Sequence, residues 1–298
     1  MLSMVKSIAL HGLQGYLVNI QADVSSGMPS FEIVGLPDIS IKESKERVKT
    51  AIRNSGVEFL SRKIVVNLAP ANTRKEGSIF DLPIALGILI ANGDIDSSFL
   101  DDILDQTVFI GELALDGSIE AVKGILPICI EAKNLGIKKI ILPKANAKEA
   151  SVIGDLDVIP VSNLNEVIDY LNADIIIEKE KSLNFLSNFK PKYDFDFSEV
   201  KGQENVKRAL EIAAAGAHNC LLIGSPGSGK TMLARRLPSI LPDLTFEEAL
   251  EVTKIHSISG LLSEENPLIC TRPFRSPHHT ITETSLVGGG RIPKPRRN

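Results

Sequence analysis

Asn219–Leu237 reads NCLLIGSPGSGKTMLARRL. An apolar run, CLLI, leads into a turn that matches GxxxxGK[ST] from Gly224 to Thr231, and a helix-forming run leads out. That order predicts strand, loop and helix: a short apolar strand over Asn219–Ile223, a phosphate-binding loop, and a helix over TMLARRL, Thr231–Leu237. Gly224, Ser225, Pro226, Gly227, Ser228 and Gly229 supply the loop, whose glycines let the backbone fold into a nest of N–H groups around phosphate oxygens. Lys230 is spaced to reach the β- and γ-phosphates, and Thr231 to ligate Mg2+ through its hydroxyl, with the helix N-terminus adding its dipole. The implied cofactors are ATP and Mg2+, and the fold around the loop is α/β.

Outward from this stretch the chain keeps alternating strands and helices. Val200–Gly216 is helical, and Thr245–Thr253 suggests a further helix. Towards the N-terminus, Tyr16–Val24 and Phe31–Val34 carry β-type spacing, and Ile41–Asn54 is an amphipathic helix stopped by Gly56. Lys63–Leu68 is a buried strand ended by Pro70. Asp81–Asn92 (DLPIALGILIAN) is a buried helix with Pro83 in its first turn and Gly93 beyond its end. Thr107–Leu113 is a strand, Ile125–Leu135 a helix closed by Gly136, Lys139–Leu142 a strand and Asn163–Leu171 a helix. Asp174–Ser198 mixes charge, Asn and Phe without a period, and is a linker tethered by its aromatics. The expected organisation is a domain over 1–172, a linker over 173–198 and a nucleotide domain over 199–298.

Composition narrows the function classes. With 298 residues, about two domains are expected. The 37 acidic residues against 33 basic ones give a net charge of −4, so only a local patch argues for nucleic acid. The 3 cysteines, Cys129, Cys220 and Cys270, have no CxxC spacing, which argues against a zinc ribbon and a disulfide scaffold and fits a reducing cytoplasm. The longest apolar run, near Leu82–Ala91, is too short to span a bilayer, and the first residues lack the apolar core of a signal peptide.

Hydrolysis by a P-loop enzyme needs a second acidic motif at the end of another strand, to hold Mg2+ and position water. No apolar run followed by Asp-Glu occurs after Thr231. The nucleotide domain therefore reads as cut off, and the chain as inactive in ATP hydrolysis.

Three stretches carry a resemblance. SEVKGQENVKRALEIAAAGAHNCLLIGSPGSGKT (Ser198–Thr231), RPFRSPHHTITETSLVGGGRIPKP (Arg272–Pro295) and the N-terminal SIALHGLQGYLVNIQADVSSGMPSFEIVGLPD together resemble the YifB/ComM family of magnesium-chelatase-like AAA+ proteins. The resemblance implies an ATP-driven hexameric ring acting on DNA in recombination or natural transformation. It also implies that the family sequence runs on after GGGxxPxP, through Gly-Glu-Ile into the acidic strand, the sensors and the arginine finger. Here Arg296-Arg297-Asn298 follows Pro295 instead. One inserted A turns the codons CCA GGA GAA ATA into CCA AGG AGA AAT, which read Pro-Arg-Arg-Asn, so a frameshift is expected.

The family's first domain is similar to the Lon protease catalytic domain, of the ribosomal S5 domain 2 class. Lon-type peptidases carry KDGxSAG and, later, GExxLxGxxxxxGGxK. KEGSIFD (Lys75–Asp81) and GELALDG (Gly111–Gly117) stand at these places, which puts Ile79 at the nucleophile position and Leu126 at the base position. A hydrocarbon has no lone pair for acyl transfer. Ser78 lies one position early and Lys123 three positions early, so a rearranged dyad of the two is the remaining route to peptidase chemistry. Asp81 reads as a helix cap or first-turn acid. Arg74, Lys75 and Glu76 read as a solvated loop or, alternatively, a partner or nucleic-acid surface.

Thr271–Asn298 sets Arg272, Arg275, Arg291, Lys294, Arg296 and Arg297 against Glu283 alone. Arg296 and Arg297 are ascribed to the altered frame and carry no functional inference; the others either face nucleic-acid phosphates or, for Arg272 and Arg275, close salt bridges. Adjacent His278 and His279 lack the spacing of metal ligands on one face. The competing readings are a DNA motor, a chelatase subunit inserting Mg2+ into a porphyrin, and a Lon-like interaction module with a vestigial nucleotide loop. The N-terminal domain argues against the chelatase subunit, because chelatase motors begin at the AAA+ module.

Overall fold

The computed structural model describes residues 2–59, 61–96, 101–183, 193–263 and 265–276. The chain forms two compact units: Met1–Leu183 with His256–Pro267, and Asn184–Ile255 with Leu268–Asn298. The boundary at 183/184 falls inside the stretch expected to be a linker.

In chain order the first unit contains β1 (Leu2–His11), β2 (Gln14–Ser25), β3 (Ser30–Val34), α1 (Ile39–Asn54), β4 (Lys63–Ala69), α2 (Asp81–Asn92) and α3 (Asp101–Asp105). There follow β5 (Thr107–Phe109), β6 (Glu112–Leu113), β7 (Ile119–Glu120), α4 (Ile125–Asn134), β8 (Lys139–Pro143), α5 (Ala147–Ala150), β9 (Asp157–Val161) and α6 (Leu164–Leu171). A 7-stranded sheet has the order β3-β4-β2-β1-β5-β8-β9, and β6 and β7 make a separate hairpin. β1 and β2 pair antiparallel, as do β2 and β4; every other neighbouring pair in the large sheet is parallel. The result is a mixed α/β unit with a mostly parallel sheet.

β1 holds the middle of that sheet, yet its sequence, LSMVKSIALH, gives little strand signal. Its buried positions include two serines. Ser3 Oγ donates to Gly87 O at 2.7 Å and Ser7 Oγ to Phe109 O at 2.9 Å, so neither buried hydroxyl is left unsatisfied. The run expected as one strand over Thr107–Leu113 is broken. After β5, the Gly111 N–H donates to Ile79 O and its carbonyl accepts from Leu82 N–H, which draws the chain out of the sheet to the start of α2. A side chain at Gly111 would collide, since a Cβ there would sit 2.9 Å from the Ile119 methyl group.

α2 is apolar on all faces and buried almost throughout, as such a helix must be. Its end is set by Gly93 at φ 88°. Its start is not capped by a side chain: Phe80 holds the cap position, and Asp81 is the first-turn acid. The Asp81 carboxylate is fully buried. It accepts from Arg47 Nε at 2.7 Å, from Arg47 Nη2 at 3.1 Å, from the Leu113 N–H at 3.3 Å and from the Ser44 hydroxyl. Burial pushes this carboxyl up, against the pull of Arg47, Ser44 and Leu113. α1 is itself started by Asp38, whose carboxylate accepts from the Ile41 N–H at 2.9 Å.

The second unit contains α7 (Glu204–Ala215), α8 (Lys230–Arg236) and most of α9 (Phe246–Ser259), with 3-10 turns at Phe197–Glu199 and Leu237–Ile240. Among its described residues one apolar cluster joins Phe197, Val200, Leu210 and Leu233, flanked by Val206, Leu222, Leu237 and Ile240. Phe195 lies under the Arg236 guanidinium at 5.1 Å, and Arg236 pairs with Glu199 at 2.7 Å.

Removing one partner of a buried ion pair strands the other. Asp81→Ala is expected to cost about 3 kcal/mol. It should lower the urea midpoint of the first unit, followed by near-UV circular dichroism. An unchanged midpoint contradicts the role given to this carboxylate.

Candidate functional site

The structure places the loop residues between an apolar segment and α8, as the motif requires. Gly227 and Gly229 have φ of 81° and 87°, in the left-handed region that other residues avoid. The Ser228 N–H donates to Ser225 O at 3.3 Å, which closes the turn. Gly229 is the cap residue of α8, and Lys230 is its first residue.

The Lys230 ammonium donates to Gly224 O and Ser225 O, both at 2.8 Å, and to Ser228 Oγ at 3.3 Å. All three are neutral oxygens belonging to the loop. A phosphate oxygen would offer the same ammonium a charge-assisted bond, which is stronger than a neutral one. Gly224, Ser225, Pro226 and Gly227 are exposed, and nothing lies within 4 Å of where a Gly227 Cβ would be. Thr231 is also exposed, on the first turn of α8. These residues fit a phosphate chain and its Mg2+.

The segment before the loop departs from expectation. Asn219–Ile223 pairs with no strand among the described residues. Leu222 is half-buried on the apolar cluster of the second unit, whereas Leu221 and Ile223 are 83% and 86% exposed. The apolar run CLLI is present in the sequence, but a strand exists only where a neighbour completes its hydrogen-bond ladder.

The other candidate positions sort as follows. Ile79 packs half-buried on the core of the first unit, and Leu126 is fully buried. Ser78 donates its hydroxyl to the Glu112 carboxylate, while the Lys123 stem lies against Gly260, 2.7 Å from where a Cβ would be. Lys75 is not solvated, contrary to expectation. It is buried, with its ammonium held by the carbonyl oxygens of Pro70 and Gly35, and desolvation lowers its pKa. Arg74 pairs loosely with Glu76, at 3.7 Å. Arg272 closes a salt bridge: it donates to Pro242 O at 2.7 Å and to Glu248 Oε2 at 3.3 Å. His278, His279, Glu283, Arg291, Lys294, Arg296 and Arg297 lie outside the described residues.

Sequence reading missed the Arg47–Asp81 pair and the Ser78–Glu112 bond, because each joins residues 34 positions apart. No local spacing signals either one.

Residues 20–146 match the family described as subunit ChlI of Mg-chelatase, and residues 196–297 match the one described as magnesium chelatase, subunit ChlI. The chain is similar to the competence protein ComM of Haemophilus influenzae, 42% identical over 297 residues, covering 99% of this chain and 57% of that protein. It is also 42% identical over 294 residues to the uncharacterized protein YifB of Escherichia coli K12, covering 99% of this chain and 56% of that protein. A more distant likeness, 25% identity over 212 residues, joins it to the archaeal Lon protease of Pyrococcus abyssi, covering 68% of this chain and 20% of that protein. The class is thus Mg-chelatase-like, and the chain belongs to the YifB/ComM family within it. It spans little more than half the length of the curated relatives it matches.

Exposed Leu221 and Ile223 should bind a hydrophobic dye. Leu221→Ser/Ile223→Ser is expected to reduce 8-anilinonaphthalene-1-sulfonate fluorescence without shifting the unfolding of the first unit. Undiminished fluorescence in that variant contradicts the exposure of this segment.

Proposed function

We propose that the chain is the nucleotide-binding portion of an AAA+ protein of the ComM type. Gly224–Thr231 holds the phosphates of ATP and Thr231 holds Mg2+. The observation that carries this reading is the Lys230 ammonium set over a glycine turn and anchored there by the neutral carbonyls of the loop itself. In this reading the loop N–H groups and Lys230 bind and orient the phosphates, and Mg2+ supplies charge neutralisation when bound. The first unit is a Lon-like domain in which Ile79 and Leu126 stand where peptidase chemistry would need a nucleophile and a base. The likeness to Lon proteases supports that assignment.

The whole protein, on this reading, is a cytoplasmic hexameric ring that moves DNA during recombination or natural transformation. Its similarity to a competence protein supports DNA as the partner. No described helix is long and apolar enough to cross a membrane. The chelatase descriptions of the matching families favour a second reading, a motor subunit for inserting Mg2+ into a porphyrin. Stimulation of ATP turnover by DNA, measured on a chain carrying the acidic strand, separates the two.

For the 298-residue polypeptide the expected outcomes are simpler. Lys230→Ala should weaken binding of a fluorescent ATP analogue in the presence of Mg2+ by about tenfold or more, the loss of a charged hydrogen bond. Unchanged affinity overturns the site assignment. Phosphate release should stay at background, because no acidic motif after Thr231 positions water. Turnover that disappears in Lys230→Ala contradicts the need for a second acidic motif.

A further inference from the structure

β3 is the open edge of the large sheet. In the order β3-β4-β2-β1-β5-β8-β9 it adjoins β4 alone, whereas the far edge is partly covered, with the Glu180 N–H donating to Val158 O of β9 at 2.9 Å. β3 and β4 pair parallel, with Ser30 opposite Lys63 and the Ser30 N–H donating to Arg62 O at 3.3 Å. Successive residues of a strand turn their N–H and C=O groups to opposite sides. Ser30, Glu32 and Val34 therefore bond to β4, and the N–H and C=O of Phe31 and Ile33 point away from the sheet. No strand or loop among the described residues meets them.

α1 overhangs this edge. It packs on β3 and on α2, and α2 covers β1 and β2. Arg47 reaches Asp81 at the start of α2. Lys45 and Lys49 stand roughly 160° round the helix from Arg47 at 100° per residue, on the flank away from α2 and above the open edge. Both are half-buried, and neither closes an ion pair among the described residues. Glu46 is exposed and leaves Lys49, three residues on, unpaired, whereas Glu251 at the same spacing holds Lys254.

The last turn of α1 stands beside the first residues of β3, because the Arg53 guanidinium lies 5.9 Å from the Phe59 ring centroid and Phe59 lies 6.3 Å from Phe31. Helix and strand thus run antiparallel, with the two lysines ranged along the edge. Lys45 and Lys49 are about 6 Å apart along the helix axis. Residues i and i+2 of a strand share a face and are about 6.7 Å apart. A strand added to β3 would set two alternate side chains against the two ammonium groups. On the opposite face Glu32 and Val34 are exposed, which disfavours acids at the intervening positions and favours apolar residues there. A second β3 is a poor occupant, since antiparallel pairing through Phe31 and Ile33 sets Glu32 opposite Glu32.

We infer that the β3 edge takes up an extended peptide of a partner protein as an added strand, acidic at i and i+2 beneath Lys45 and Lys49 and apolar between. The free backbone groups of Phe31 and Ile33 select a peptide over other polyanions, and the lysines select its side chains. The phosphate loop takes no part.

The test is fluorescence anisotropy of a labelled peptide of alternating Glu and Val, titrated with the full chain. Lys45→Ala/Lys49→Ala should weaken binding by about fivefold, the loss of two exposed ion pairs. Alanine preserves the helix, which far-UV circular dichroism checks. Lys138→Ala/Lys148→Ala, an equal change of charge at exposed sites elsewhere in the first unit, should bind as the unaltered chain does. Lys230→Ala should also bind unchanged, which separates this result from the nucleotide reading. N-methylation of the peptide at its Glu residues or at its Val residues, whichever set faces β3, should weaken binding by about tenfold or more, while the other set is tolerated. Which set it is tells antiparallel from parallel addition. A peptide of the same composition with its Glu and Val residues in separate blocks should bind more weakly than the alternating one. The proposal is overturned if the block peptide binds as tightly, which marks a site for any polyanion, or if the two methylated peptides behave alike. It is equally overturned if Lys45→Ala/Lys49→Ala binds as the unaltered chain does, or if the control pair loses as much.

Discussion

One buried carboxylate ties the first unit together. Asp81 opens α2, takes two hydrogen bonds from Arg47 of α1, and takes another from the backbone of β6. An uncompensated charge at that depth would cost several kcal/mol, so α1 must present Arg47 and Ser44 to it. That requirement fixes the rotation of α1 about its own axis. With Arg47 turned inward, Lys42, Lys45, Lys49 and Arg53 are turned outward, and Arg47 is no longer available to Glu43. The charged face of the helix is thus a consequence of a contact on its other side.

The second unit depends on local backbone geometry instead. Its loop is shaped by glycines at positive φ rather than by distant contacts. The Lys230 ammonium, Gly224 and Ser225 all lie within a short run of chain, so the loop needs little support from elsewhere. The cost falls on the segment before it. Leu221 and Ile223 remain in water, where apolar surface is unfavourable.

Elements whose signals are local were legible. α2 spans the residues that its Pro83, Asp81 and Gly93 mark out, and α6 begins after Asn163, which accepts from the Glu166 N–H as a cap should. α8 opens at Lys230, one residue before the TMLARRL run that reads as helix. β1 was not legible, because Ser3, Lys6 and Ser7 interrupt its apolar pattern and only α2 and β5 supply acceptors for the serines. The break after β5 was hidden for a similar reason: Gly111 turns to meet Ile79 and Leu82, which are remote in sequence. Lys75 looked like a surface lysine until the chain folded the carbonyls of Gly35 and Pro70 around it. Asn219–Ile223 shows the converse, a strand-like sequence without a ladder among the described residues. Within the candidate site, the loop and its lysine could be read from spacing, whereas the unpaired state of the segment before them depends on neighbours that no local pattern reports.

The central claim is that phosphates are held by the backbone and lysine of Gly224–Thr231. Hydrogen–deuterium exchange with and without ATP and Mg2+, resolved to peptides covering this loop, tests it most directly. The account predicts slowed exchange confined to the amides from Gly227 to Thr231 and the first turn of α8, absent when Lys230 is replaced by alanine. Slowing that appears elsewhere in the chain but not in this loop, or that survives loss of the Lys230 ammonium undiminished, would contradict it.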